Sequence, residues 1–424
     1  MIARRHVFLI IGYAPIPVET QHLWFKRSFE KFGKLWGASG RVSELIWNSE
    51  KTNARWTVET QGPNWRVETT YEPLNWDDII HSDVSQPILS QVTGTASVFF
   101  EYLWTGTLWR YFRARWTYGL FFLLPFFHLA IFAGAGALAA YGVTWLFGLS
   151  GWMAGIAGAL VALAVFIGGL YWPGKRWHTQ HILVDWIFSR DFARDRRPDM
   201  NARLQTFAQR IAERVKANTA DEILVVGHCL GAGLAADTLS RALDLDPMLT
   251  KRGPKLCFMT IGATLPKFAL HPGGEHIRRA ARRVHDEPGI AWAEYHSRED
   301  AVSFYKFDPV ALQWTTDRID KKPVIRRVRL KDMVEKHTWK RIRYRFLRMH
   351  LQGFLANERR TPYDYFMFVC GPIPFTDTIV APGGPTSFIA ENGAYSATAS
   401  RTPTITEGRV TREDADVVRA EEML

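Results

Sequence analysis

Cysteine is scarce in this sequence: Cys229, Cys257 and Cys370 are the only ones in 424 residues. No two of them stand at CxxC spacing, which argues against a disulfide-stapled scaffold and a cysteine-built zinc site and fits a reducing compartment. No cofactor or metal is implied. No secretory leader is expected either. The N-terminal apolar run from His6 to Tyr13 is short, is cut off by Pro15 and Pro17, and lacks a small-residue cleavage site, so it reads as a strand. No internal repeat and no nucleic-acid motif accompany the basic charge of +11. The sharpest absence is local. From Trp116 to Gly174, 59 residues pass without one Asp, Glu, Lys or Arg, too many for a helix pair in a soluble core.

That stretch is roughly twice the ~20 residues a helix needs to cross a bilayer. Gly148, Ser150 and Gly151 mark a turn near its middle, which predicts a transmembrane hairpin of two helices, about 118–147 and 152–172. Gly134, Gly136, Gly155 and Gly158 would let the helices approach closely. Trp116, Tyr118, Trp145, Trp152, Tyr171 and Trp172 are expected near the interfaces. Arg110, Arg113 and Arg115 precede the hairpin and Lys175 and Arg176 follow it, while the turn carries no positive charge. The positive-inside tendency then makes this a multi-pass protein of the inner (cytoplasmic) membrane with both large segments in the cytoplasm. His128, inside the first span, reads as a hydrogen-bonded structural residue.

Outside the hairpin, residues 5–12 read as a buried strand and 19–36 as a helix anchored by Leu23, Phe25, Phe29, Phe32 and Leu35. Residues 41–72 alternate like half-exposed strands, and 98–115 form an aromatic helical lead-in. After the hairpin come a helix bearing Leu204, Phe207, Ile211 and Val215, then strands at 222–226, 256–262, 291–296 and 324–330, with a helix at 232–243 and a last one at 335–357. Alternating helices and short apolar strands predict an α/β fold with a mostly parallel sheet flanked by helices. The expected divisions are 1–115 and 175–376 for the two parts of the sheet domain, 116–174 for the hairpin and 377–424 for a disordered tail. The basic stretches 278–283 and 321–348 read either as solvated faces or as surfaces held against anionic headgroups.

Chemistry concentrates in one segment. The apolar strand Ile223-Leu-Val-Val runs into Gly227-His228-Cys229-Leu230-Gly231, which opens an Ala-rich helix. Glycine two positions either side of a nucleophile permits a turn so sharp that the nucleophile stands clear at the helix N-terminus. There the partial positive charge of the helix end favours a thiolate. His228 and the apolar-flanked Cys257 and Cys370 read as packing residues.

This strand–elbow–helix resembles the G-x-nucleophile-x-G elbow of the α/β-hydrolases (lipases, esterases and thioesterases), with Cys in place of Ser, as in the dienelactone hydrolases. The resemblance covers roughly residues 5–72 and 180–370. It implies an α/β-hydrolase-like sheet with an inserted two-helix hairpin, and a triad in the order nucleophile, acid, His. It also implies an oxyanion hole from the Leu230 amide and the turn Gly12-Tyr13-Ala14, with Tyr13 as the second donor. The strand at 291–296 leads to Ser297-Arg-Glu-Asp300, so Asp300 falls where the acid is expected, ahead of Glu299 and Asp308. His350 is the expected base and His337 its competitor.

The implied activity is hydrolysis of esters or thioesters with apolar acyl groups at the cytoplasmic membrane face, through attack by Cys229. Membrane lipid is the expected partner, nucleic acid is not, and homo-oligomerisation through the glycine-rich faces stays open. The alternative is a hydrolase fold that has lost catalysis and serves as a binding or scaffolding module. A transporter is disfavoured, because one hairpin is too little to build a pathway.

Overall fold

The computed structural model describes residues 1–14, 16–48 and 53–398. The chain divides into a sheet unit, residues 1–77, 201–266 and 277 onward, and a helical unit, residues 78–200 and 267–276.

The sheet unit opens with β1 (Arg4–Ile10), α1 (Val18–Trp36), β2 (Ser39–Val42), β3 (Ile46–Trp47), β4 (Ala54–Gln61) and β5 (Arg66–Pro73). The helical unit follows: α2 (Asp77–Val84), α3 (Ile88–Trp104), α4 (Thr107–Ala114), α5 (Trp116–Leu146), α6 (Gly151–Tyr171), α7 (Pro173–Arg176) and α8 (Thr179–Ala193). Then come α9 (Pro198–Ala217), β6 (Glu222–His228), α10 (Gly231–Leu245), β7 (Lys255–Ile261), α11 (Leu265–Ala269), α12 (Glu275–Asp286), β8 (Ile290–Ser297) and β9 (Val324–Val328). The short helices α13 (Leu330–Met333), α14 (Lys336–Ile342), α15 (Phe346–Leu351), α16 (Tyr365–Cys370) and α17 (Phe375–Val380) complete the described chain.

The strands lie in the order β2-β4-β5-β1-β6-β7-β8-β9, with β3 beside β4. From β5 to β9 every neighbour is parallel, whereas β2, β3 and β4 pair antiparallel. The result is a mixed α/β sheet flanked by helices. β6 is buried along its whole length and β1 along all but its first residue, which is why their central stretches, Val7–Ile10 and Ile223–Val226, read as unbroken apolar runs rather than alternating ones. One core joins Val7, Leu9, Leu224, Val226 and Met259 of the strands to Phe25, Phe29, Phe32 and Trp36 of α1 and to all six residues of α16. Leu23 was expected among the α1 anchors but is exposed, because the buried stripe runs through His22, Phe25, Phe29, Phe32 and Trp36. Cys257 and Cys370 are buried small hydrophobes, and burial pushes both thiols up.

A buried arginine ties the start of the sheet to the end of the described chain. Arg5 donates to Glu222 at 2.8 Å and to the carbonyls of Gly371 and Ile373 at 2.6 and 2.8 Å. The other Glu222 oxygen accepts the Phe375 amide at 2.8 Å. The expectation of a disordered tail from 377 therefore fails over its first part: α17 is helical, and Ile379, Ala381, Phe388 and Ile389 join the core. The rest of the expected tail, from 399, lies outside the described residues. The single helix expected at 335–357 is instead α14, α15 and a 3₁₀ turn at Gln352–Phe354.

The helical unit is larger than the expected hairpin. It adds α2, α3, α4 and α8 and the returning segment 267–276 to the two long helices, so the boundaries at 116 and 174 are too narrow. Aromatic packing explains this: Tyr102, Tyr111, Tyr118 and Phe122 surround Trp186 of α8. Tyr118, expected at a membrane interface, is a core residue here. Helices α5 and α6 are long and apolar enough to cross a membrane. They touch where Gly136 faces Ala162 and Gly169 faces Phe132, while Gly134 and Gly155 face open space. His128 shares a 2.8 Å hydrogen bond with Thr179, a structural role as expected.

Candidate active site

The strand order reverses direction at β1. After β1 the chain builds β2 to β5 on one side, and after α9 it returns to lay β6 on the other. Crevices form beyond the carboxyl ends of strands at such a switch point, because the two connecting segments leave in opposite directions. The loop after β1 carries Gly12, and the turn after β6 carries Cys229.

The elbow itself is tight. A Cβ on Gly227 would lie 2.6 Å from Ala232 Cα, and one on Gly231 would lie 2.1 Å from the Ile10 carbonyl oxygen. Neither contact is tolerable, so the sequence must place glycine at both positions. Cys229 takes up the bend with φ of 55°, the left-handed region that costs a residue with a side chain of order 1–3 kcal/mol. Its backbone is pinned on both sides: its N–H donates to Ile261, and its carbonyl accepts from Ala232 and Thr264 at 3.2 and 2.9 Å. The cysteine is half-buried, between fully buried neighbours.

Gly12 faces it from the β1 loop. A Cβ there would sit 2.6 Å from Cys229 Cβ, 3.0 Å from Sγ and 3.3 Å from the Leu230 nitrogen. The missing side chain thus keeps open a space that borders both the thiol and the Leu230 amide. Leu230 contributes only its backbone, since its side chain is buried. In the same loop the Ala14 amide is already used, donating to the Gly12 carbonyl at 2.8 Å. Tyr13 is buried with its ring edge-on to Trp76 at 5.7 Å.

Fifty positions apart in sequence, Asp300 and His350 meet. His350 Nδ1 and Asp300 Oδ2 are 2.8 Å apart, and both side chains are buried. Asp300 emerges just beyond β8, and its other oxygen accepts the Val302 amide at 2.9 Å. Burial is the largest influence on this carboxyl and acts upward. The His350 charge, the His350 hydrogen bond and the Val302 amide together outweigh it and hold Asp300 below the usual carboxylate range. On His350 burial is again largest and acts downward. The charges of Asp300 and Cys229, with the hydrogen bond to Asp300, overcome it and raise the imidazole well above the ordinary histidine value. The thiol is thus near enough to act on the ring, yet Nε2 completes no well-aligned hydrogen bond.

The competing residues have other work. Glu299 accepts from Ser297 at 2.8 Å. Asp308 pairs with Arg318 at 2.6 Å and receives the amides of Val310 and Ala311. His337 is exposed and shares a hydrogen bond with Thr338.

Two supporting residues were not legible as such. His228 ends β6 with Nε2 3.1 Å from the His350 carbonyl and its ring 4.5 Å from the His350 ring. Burial, then the His350 charge, pushes it down to about 3, so it is neutral and the ring nitrogen donates. Gly262, with φ of 56°, leaves no room for a side chain: a Cβ would lie 3.1 Å from both Asp300 Oδ2 and His350 Cε1. A glycine one residue past β7 was the available signal, but only the fold shows which pair it accommodates. Among the described residues no group of three or more His, Cys, Asp or Glu is placed to hold a metal ion.

No family model, no curated protein and no solved structure matches this chain.

Proposed function

We propose that this protein is a membrane-anchored hydrolase of ester or thioester substrates, with the architecture of an α/β-hydrolase and a Cys229–His350–Asp300 triad. The observation that carries the reading is the buried 2.8 Å contact between His350 Nδ1 and Asp300 Oδ2, with the elbow cysteine among the charges that act on the same imidazole. Asp300 fixes the tautomer and orientation of His350 and stabilises its cation. His350 takes the thiol proton, and Cys229 Sγ adds to the acyl carbonyl carbon. The carbonyl oxygen becomes an oxyanion in the space beside Gly12 and is met by the Leu230 amide. Collapse of the adduct expels the alcohol or thiol, which takes the proton from His350, and leaves an acyl-thioester on Cys229. A water deprotonated by His350 then adds to the acyl carbon, and collapse releases the acid while the proton on His350 returns to the departing Cys229 sulfur.

The hairpin α5–α6 supplies the anchor. Arg110, Arg113 and Arg115 before it, and Lys175 and Arg176 after it, favour an orientation with both flanks in the cytoplasm. Apolar acyl substrates suit that location.

The test is labelling of the detergent-solubilised protein with an activated thioester and a thiol-reactive probe. Rapid acylation that disappears in Cys229→Ala and slows in His350→Ala supports the reading. A Cys229 no more reactive than an ordinary thiol, without turnover, overturns it and leaves the fold as a binding module.

A further inference from the structure

We propose that the corner between α3 and α4 is a second lipid-contacting element, lying in the headgroup layer beside the hairpin. The proposal rests on the membrane reading above and extends it to a surface that the hairpin does not contain.

The two long helices are unequal. Phe132 of α5 meets Gly169 of α6. From that level α6 ends within one turn, at Tyr171, whereas α5 continues to Trp116, about 24 Å farther at a rise of about 1.5 Å per residue. The apolar surface does not stop where α6 does. Trp116, Leu120 and Phe127 are exposed on the extension, on the stripe that continues through Ile131, Leu138 and Trp145. The whole stripe is about 43 Å long, against a hydrocarbon core of about 30 Å and a full bilayer of about 40–45 Å including headgroups. A stripe longer than the core is accommodated by tilting, with its ends in the headgroup layer.

Helices α3 and α4 are fastened to that lower part. Phe99 packs 4.8 Å from Phe126, Tyr102 stacks on Phe122 at 5.2 Å, and Tyr111 meets Tyr118 edge-on at 5.2 Å. With their inner faces spent on α5, they expose Phe100, Trp104 and Trp109, and Trp104 is 94% exposed. Tryptophan concentrates at membrane interfaces because its ring is apolar and its N–H is not.

Charge agrees with an anionic surface. Between Ile88 and Arg115 the only acid is Glu101, and it is turned inward to Arg194 and His271 at 2.8 and 3.0 Å. Arg113 lies one turn beyond Trp109 on α4, and Lys175 and Arg176 are exposed below α6. Such a face fits phospholipid headgroups above an apolar boundary.

The experiment uses the full chain with Cys229→Ala, the other two cysteines being buried. Single cysteines replace Trp104, Trp109 or Leu138, carry a polarity-sensitive fluorophore, and are reconstituted in vesicles of phosphatidylcholine with phosphatidylserine. Spin-labelled lipids quench at shallow or deep positions, and iodide quenches from water. We expect Leu138→Cys to be quenched by the deep lipid. Trp104→Cys and Trp109→Cys should shift to the blue on reconstitution, lose iodide quenching and respond most to the shallow lipid. Retained iodide quenching at 104 and 109, with Leu138→Cys still quenched by the deep lipid, overturns the proposal alone. Labels at 104 and 109 shielded from both iodide and lipid also overturn it, in favour of a second copy or another protein. Failure of the deep lipid to quench Leu138→Cys overturns the membrane reading itself.

Discussion

Leu224 and Leu138 are the same residue in opposite surroundings. In β6 Leu224 has no exposed surface, and in α5 Leu138 is 74% exposed. The sheet core and the hairpin differ in this way. The sheet unit turns its aliphatic residues inward and gives its buried charged groups polar partners, as with Arg5 and Glu222 or His350 and Asp300. The hairpin turns Leu, Trp and Phe outward. The first pattern is stable in water because apolar area leaves it. The second is stable only where the surroundings are themselves apolar or interfacial. A buried ion pair and a strained elbow both need closely packed surroundings, and the sheet unit supplies them around His350, Asp300 and Cys229.

The comparison can be broken at the site first. If the Asp300–His350 pair organises catalysis, Asp300→Asn should lower kcat/KM for a model thioester by about 10³–10⁴-fold. Its pH dependence gives a second check. The Asp300 charge helps raise His350, so the limb of the kcat/KM profile that reports His350 should lie above pH 6.5 in the wild type. Removing that charge lets burial dominate, and the same limb should move to lower pH in Asp300→Asn. A limb that does not move separates the two residues functionally.

Gly12→Ala comes next. Its Cβ would intrude on Cys229 and on the space before the Leu230 amide, for an expected loss of about 10²–10³-fold in kcat, the scale of removing one oxyanion donor. An unchanged melting temperature alongside that loss would place the effect in the site rather than in the fold.

The contrast between units is sharpened by one substitution made twice. Leu224→Ala should destabilise the protein by about 2–5 kcal/mol, because it opens a cavity in a closed core. Leu138→Ala should change unfolding in detergent by no more than about 0.5 kcal/mol, as befits a side chain with little protein around it. Denaturant melts of both variants decide the matter, and equal costs would mean that Leu138 is packed against protein. At the small end, His337→Ala should leave kcat/KM unchanged, since the ring is exposed and its hydrogen bond goes to Thr338.

Much of this was legible in the sequence, for identifiable reasons. The elbow could be read because its glycines are steric necessities, and a Cβ at either would strike backbone. The hairpin could be read because the absence of charge over 59 residues is a local property. The α1 stripe was readable except for its phase, which misplaced Leu23. Helix α12 was missed because its twelve residues include just four buried apolar or alanine positions in an otherwise charged run. The tail from 377 was misread because Gly, Pro, Thr and Ser resemble a linker until Arg5 and Glu222 are seen to hold the carbonyls and amide of 371–375.

By itself, then, the sequence determined the local features: which segments are strands or long apolar helices, and which cysteine stands in a turn too tight for any other arrangement. Those follow from sterics and hydropathy within a few residues. Only the tertiary structure decided that Asp300 and His350 meet, that His337 does not, that the sheet turns antiparallel beyond β5, and that α5 outruns α6. These depend on which strands become neighbours and on how far packed helices slide past each other, and contacts between distant residues settle both.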